Sequence, residues 1–125
     1  MNEEPGQERV AELVKAAMGW RGISGPQIDA TGRVSRATVD RVKRRENVSD
    51  AMLRALGDIL GLPRDYLLYV RNGDVEAVIS SGATDPDLLR WTLELMQDEI
   101  TDDQLSDRSQ AMVDDVLAIR RRFMP

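Results

Sequence analysis

The sequence contains neither cysteine nor histidine, and these two absences exclude several kinds of chemistry at the outset. Without cysteine there is no disulfide scaffold, no thiol nucleophile and no cysteine-based zinc site. Without histidine there is no Ser-His-Asp triad and no histidine metal ligand, and the commonest general base in enzymes is missing. We therefore expect a protein that is not an enzyme and that binds no cofactor and no metal.

Long apolar runs are missing as well. The longest spans residues 66–70, far short of the roughly 18 consecutive apolar residues that cross a membrane. The first six residues, MNEEPG, are acidic and lack the basic and apolar regions of a signal peptide. The sequence thus predicts a cytoplasmic protein with no membrane partner. Its 125 residues are 42% hydrophobic and 31% charged, which predicts a packed core rather than a disordered chain.

Charge is distributed unevenly along the chain. The net charge of −5 argues against a nucleic-acid partner, but residues 1–49 carry a net charge of +2 and residues 74–125 a net charge of −7. Residues 33–45 contain six positive side chains and a single acid, Asp40. This asymmetry indicates a local anion-binding face joined to an acidic module.

The chain is predicted to be all-α, because apolar residues recur at spacings of three and four and no run alternates with period two. Serine caps, proline in first turns and glycine stops set the predicted ends of the helices. The first five helices are predicted at Gln7–Met18, Pro26–Thr31, Arg36–Arg45, Asp50–Leu60 and from Pro63 to Asn72. Beyond a short apolar piece at Val75–Ile79, two further helices are predicted, one opening at Asp85-Pro86 and one over Asp107–Arg122.

Two segments of the first 73 residues carry a motif. Residues 23–42 (ISGPQIDATGRVSRATVDRV) predict two short helices joined by a tight turn, and the second helix is rich in arginine. Residues 60–68 (LGLPRDYLL) follow a further predicted helix. This pattern resembles the XRE-like family of Cro and lambda-repressor-like helix-turn-helix proteins over residues 7–72. Asp29 stands where that family usually has alanine. Gly32 lies one residue before the usual turn glycine, which predicts a shifted or slightly longer turn.

The second helix of the motif would read the DNA bases. The apolar residues Val39 and Val42 fix its inward side, so residues one, two and six past Ser35 point outward. Arginine binds guanine O6 and N7, aspartate accepts from cytosine N4, and alanine or threonine methyls contact the thymine methyl group. The predicted base-reading residues are Arg36, Ala37, Thr38, Asp40 and Arg41.

Neighbouring polar and basic residues would contact phosphate, which gives affinity without sequence information. These residues are Arg21, Arg33, Ser35, Lys43, Arg44 and Arg45. Taken alone, the run from Lys43 to Arg45 is typical of a solvated helix end that complements the helix dipole. Its position directly after the motif favours the phosphate role.

Gly73 is the predicted boundary between a helix-turn-helix domain, residues 1–73, and an acidic helical region, residues 74–125. No lysine follows Lys43, which excludes a Ser–Lys self-cleavage domain. The broad apolar stripes of the C-terminal helices favour self-association as a homodimer, while packing on the N-terminal bundle of a monomer is the alternative. The predicted dimerisation residues are Leu89, Trp91, Leu93, Met96, Met112, Val113, Val116, Leu117, Ile119 and Phe123.

These observations and the resemblance together predict a dimeric, sequence-specific regulator of transcription that binds double-stranded DNA. A repressor of prokaryotic or phage type is the expected form, acting by occlusion or positioning at a promoter. The alternative is an antitoxin or adaptor whose acidic C-terminal half binds a partner protein. Copurification of such a partner would favour the alternative, whereas a footprint made by the isolated protein would favour the regulator.

Overall fold

The computed structural model describes residues 5–81, 85–96 and Ala111. Within these residues the chain is all-helical and has no strand, as the sequence predicted. The seven helices of the described residues are α1 (Pro5–Arg21), α2 (Gly25–Ala30), α3 (Arg36–Lys43), α4 (Asp50–Ile59), α5 (Tyr66–Asn72), α6 (Val75–Ser80) and α7 (Pro86–Leu95).

Serine residues cap the starts of three successive helices. The side chains of Ser24, Ser35 and Ser49 each accept a hydrogen bond from the backbone N–H three residues ahead. At Ser24 the Gln27 side chain also accepts from the Ser24 backbone N–H, which completes a capping box. Local cap chemistry therefore sets the starts of α2, α3 and α4, within one residue of the predicted positions.

Several helix ends differ from their predicted positions. The fifth helix begins at Tyr66 rather than at Pro63, because Asp65 takes a left-handed backbone with φ of 62° and residues 63–65 form a turn. Helix α3 ends at Lys43, two residues before the predicted end, because Arg45 is also left-handed with φ of 66°. The apolar piece Val75–Ile79 belongs to a helix of its own, α6.

One hydrophobic core joins all seven helices. Its fully buried members include Leu13 of α1, Ile28 of α2, Leu56 of α4 and Leu67 of α5. The same cluster continues past Gly73 through Val75 and Val78 of α6 to Leu88, Leu89, Leu93 and Met96 in and just after α7. Helices α6 and α7 therefore complete the core that the first five helices begin.

A buried arginine joins the start of α1 to the end of α5. The guanidinium of Arg9 donates from Nε to the backbone oxygen of Val70 at 3.1 Å and from Nη2 to that of Arg71 at 3.3 Å. Gly6 makes the close approach possible, because a Cβ there would overlap the Arg71 carbonyl oxygen. The last carbonyls of α5 thus obtain donors that the helix itself does not supply.

Tyr66 links α5 to α7 through a buried hydrogen bond to Thr92. Its phenol oxygen lies 2.8 Å from Thr92 Oγ1, and that hydroxyl lies 2.8 Å from the backbone oxygen of Leu88. Burial raises the pKa of Tyr66 to about 12, with the hydrogen bond from the phenol to Thr92 opposing the shift and the nearby Asp85 carboxylate adding to it.

We expect the stability of the wild-type chain to fall as the pH rises from 10 to 12. The pKa of Tyr66 is higher in the folded state than in the unfolded chain, so unfolding releases a proton in this range. The stabilisation from the neutral phenol is complete below pH 10, and about 1 kcal/mol of it is lost at pH 11. Urea unfolding at pH 8 and pH 11, compared between wild type and Tyr66→Phe, checks this. An equal pH dependence in both proteins would contradict it.

Candidate nucleic-acid interface

Helix α3 presents one buried and one exposed side. Val39 and Val42 are buried, as is Val34 just before the cap, and together they fix the inward side. Arg36, Ala37 and Arg41 are exposed. The outward direction that the sequence predicted for residues one, two and six past Ser35 is therefore confirmed.

The other two predicted base-reading residues are less accessible. Thr38 and Asp40 are half-buried. The Thr38 hydroxyl lies 3.0 Å from the Ser35 hydroxyl, and Ser35 Oγ accepts from the Thr38 backbone N–H at 3.1 Å. Ser35 and Thr38 thus form the N-terminal cap of α3. Among the five predicted base-reading residues, Arg36, Ala37 and Arg41 have exposed side chains that could contact DNA.

Three cations of α3 carry no ion pair with any residue that the structure describes: Arg36, Arg41 and Lys43. By contrast, Arg44 lies 2.7 Å from a Glu46 carboxylate oxygen, and Arg45 lies 3.7 Å from that of Glu8. Both pairs are solvent-exposed, where an ion pair contributes only about 0–1 kcal/mol. The end of α3 therefore combines unpaired cations with arginines that could exchange their partners at small cost.

Arg21 and Arg33 both contact the end of α4. Arg21 Nε donates to the backbone oxygen of Leu60 at 3.0 Å, which gives the helix end a donor. Arg33 lies 3.0 Å from Asp58 in an exposed ion pair. Two of the six predicted phosphate ligands therefore contact the end of α4, Arg21 from the end of α1 and Arg33 from the turn between α2 and α3.

Asp29 has a structural contact that the sequence did not reveal. Its Oδ1 accepts a hydrogen bond from the backbone N–H of Arg36 at 3.2 Å. The first turn of α3 contains no acidic residue, and Asp29 supplies that charge from the last turn of α2. Anionic groups stabilise helix N-termini, so this carboxylate favours the start of α3. In the sequence, Asp29 stands out only as an unusual residue for its place in the motif.

Arg45 occupies a backbone position where glycine is usual. The Glu46 N–H bonds the Arg41 oxygen at 2.9 Å and the Arg45 N–H bonds the Val42 oxygen at 3.0 Å, which is the Schellman pattern. The equivalent left-handed residues after α4 and α5 are Gly61 and Gly73. The left-handed conformation costs a residue with a side chain roughly 1–2 kcal/mol, so the end of α3 retains a charged residue at a cost in stability.

The predicted dimerisation residues divide into three groups. Leu89, Leu93 and Met96 are buried in the core of a single chain, so the expectation that they contact a second copy is corrected. The apolar side of α7 packs into the core of its own chain, which is the alternative that the sequence left open. Trp91 is half-buried and meets Trp20 edge-to-face with ring centroids 5.6 Å apart. The residues Met112, Val113, Val116, Leu117, Ile119 and Phe123 lie outside the described residues.

The described part of the chain offers neither a metal-binding group nor a membrane-spanning helix. Residues 5–81 and 85–96 contain no group of three or more acidic side chains arranged to hold a metal ion. None of the helices described there combines the length and the apolar character needed to cross a membrane. Comparisons of the chain with protein-family models, with curated proteins and with solved structures gave no match.

Proposed function

We propose that this protein binds double-stranded DNA in a sequence-specific manner and regulates transcription. The observation that carries the proposal is the set of cations on α3: Arg36 and Arg41 are exposed, Lys43 is half-buried, and none of the three has an ion-pair partner among the described residues. Unpaired arginines on an exposed helix suit a polyanionic partner, because binding then needs no internal ion pair to break.

The arrangement of α2 and α3 supports a helix-turn-helix mode of binding. Helix α2 packs on α3, five residues separate them, and Ile28, Val34 and Val39 are buried around their contact. In such a motif the second helix lies in the major groove and its N-terminal residues approach the base edges. Arg36 and Ala37 occupy the first turn of α3, and Arg41 lies a turn further along.

The proposal assigns base contacts and phosphate contacts to different residues. Arg36 and Arg41 read guanine, while Ala37 offers a methyl group to thymine. Lys43, Arg44 and Arg45 bind phosphates at the end of α3 and fix the orientation of the helix on the duplex. Arg21 supports the end of α4 through its hydrogen bond to the Leu60 oxygen, whereas Arg33 could exchange its exposed ion pair with Asp58 for a phosphate at small cost.

A dimeric repressor is the form of regulator that we propose. A symmetric dimer would present two copies of α3 to two half-sites, which is the usual arrangement for helix-turn-helix proteins. Since Leu89, Leu93 and Met96 are buried in one chain, the dimer contact is assigned to the C-terminal residues from Met112 to Phe123 and to the exposed Trp20 beside Trp91. The repressor would act by occupying a promoter, with no chemical step.

Binding of the full chain to duplex DNA is expected to weaken steeply as salt rises, because each phosphate contact releases counterions. Lys43→Gln should weaken binding to all sequences alike and lower the slope of log K against log salt by about one per protomer in contact. Fluorescence anisotropy titrations at several salt concentrations measure both quantities.

The matched control is Arg90→Gln. Arg90 is a half-exposed arginine of α7 that pairs with Asp87 at 3.1 Å, away from the α2–α3 pair in sequence. This change should leave the salt slope as in wild type. Binding that is insensitive to salt, or an equal change of slope in both variants, would contradict the assignment of α3 as the contact surface. Failure of the isolated chain to bind any duplex, with copurification of a protein, would favour the antitoxin or adaptor alternative.

A further inference from the structure

One hydrogen bond joins helix α2 to Arg36. The Arg36 backbone N–H donates to Asp29 Oδ1 at 3.2 Å. Gly25 leaves space beside the Arg36 side chain, since a methyl group placed on Gly25 would lie 3.9 Å from Arg36 Cγ. The backbone of Arg36 is therefore bonded to the last turn of α2, while its side chain stays exposed.

The bond to Asp29 fixes a part of α3 that no regular helix hydrogen bond can fix. The first backbone N–H groups of a helix have no acceptor within the helix. Ser35 provides acceptors for Thr38 through its side chain and for Val39 through its carbonyl, and Asp29 provides the acceptor for Arg36. Without Asp29, the backbone N–H of Arg36 would lose the acceptor that α2 gives it.

We propose that Asp29 is a positioning residue that sets sequence specificity by holding Arg36 in its base-reading place. This inference rests on the proposed DNA-binding function. A residue whose backbone is already fixed loses less freedom when it binds, so an Arg36 whose backbone N–H is held by Asp29 discriminates bases more strongly. The Asp29 carboxylate also disfavours phosphate close to the start of α3, which lowers affinity for all DNA alike.

Two substitutions separate the hydrogen bond from the charge. Asp29→Ala removes both, whereas Asp29→Asn removes the charge and keeps an acceptor oxygen. In the free protein, hydrogen exchange of the Arg36 amide should be at least about fivefold faster in Asp29→Ala and unchanged in Asp29→Asn. Asp29 is exposed at the end of α2, so both variants are expected to fold, and far-UV circular dichroism checks this.

The binding test uses the full chain, its selected duplex and a scrambled duplex of the same composition. The specificity ratio is the dissociation constant for the scrambled duplex divided by that for the selected duplex. Asp29→Ala should lower this ratio by about threefold to tenfold. Asp29→Asn should keep the wild-type ratio and bind both duplexes more tightly.

A double-mutant cycle with Arg36→Ala shows whether Asp29 acts through Arg36. Alanine at position 36 keeps the backbone N–H, so the bond to Asp29 and the fold remain. In that background Asp29→Ala should no longer change the specificity ratio. An unchanged ratio in Asp29→Ala alone, or an equal fall in both backgrounds, overturns the proposal. If wild type binds DNA without sequence preference, the proposed function itself fails. That failure can be told from failure of the Asp29 proposal alone, because hydrogen exchange of the Arg36 amide still measures the bond to Asp29.

Discussion

Arg36→Ala and Arg41→Ala are each expected to weaken binding to the selected duplex by about 1–3 kcal/mol, a loss of roughly 5- to 150-fold. The reason is that only guanine offers the O6 and N7 acceptors side by side in the major groove, and alanine donates to neither. On a scrambled duplex both variants should lose much less. Anisotropy titrations of both duplexes measure the difference.

The two losses should also map to two different base pairs. Arg36 lies in the first turn of α3 and Arg41 five residues later, about 140° around the helix axis, and both are exposed. Replacing one guanine at a time by 7-deazaguanine removes its N7 acceptor, and the penalty should vanish only in the matching alanine variant. Equal losses on both duplexes would instead make these arginines phosphate ligands. A specificity change in Asp40→Ala would show α3 to be rotated in the groove.

Leu93→Ala is expected to lower the free energy of unfolding by about 2–5 kcal/mol. Leu93 is completely buried in the core that α7 shares with the earlier helices, so its loss leaves a cavity inside one chain. The midpoint of urea unfolding in wild type and variant gives the value. Leu95→Ala on the same helix is the control, because Leu95 is only half-buried and should cost clearly less.

The dependence on protein concentration distinguishes a core residue from a dimer contact. If Leu93 stabilises one chain, the difference between wild type and Leu93→Ala is the same at every protein concentration. If α7 were instead the dimer face, the variant would unfold as the wild type does at high dilution, where both are monomeric. That second result would contradict the packing of α7 described above.

Local signals in the sequence predicted most of the helices. Ser24, Ser35 and Ser49 precede helices because a short side chain can accept from the next turn, and that chemistry depends only on neighbouring residues. Gly61 and Gly73 similarly follow the ends of α4 and α5. The outward side of α3 was predictable because Val39 and Val42 define its inward side. The start of the fifth helix was predicted wrongly at Pro63, because the left-handed backbone of Asp65 moves that start to Tyr66.

Contacts between distant residues could not be predicted in this way. An amphipathic stripe shows that one side of a helix is buried, but it does not show against what, so α7 was assigned to a second chain. The bond from Arg9 to the Val70 carbonyl joins residues 61 apart, and no local pattern marks it. The bond from Arg36 to Asp29 crosses a turn whose path depends on how α2 packs on α3. These contacts follow from the assembled core.

Selection of bound sites from a random duplex library, with the full chain as bait, tests the central claim most directly. The account predicts enriched sites made of two inverted half-sites whose centres lie about 34 Å apart, one helical turn, or a multiple of it. Each half-site should contain two guanines whose enrichment disappears in the Arg36→Ala and Arg41→Ala variants respectively. A library that shows no enriched sequence, or the same enriched sequence with both arginines replaced, would contradict the claim that α3 reads DNA.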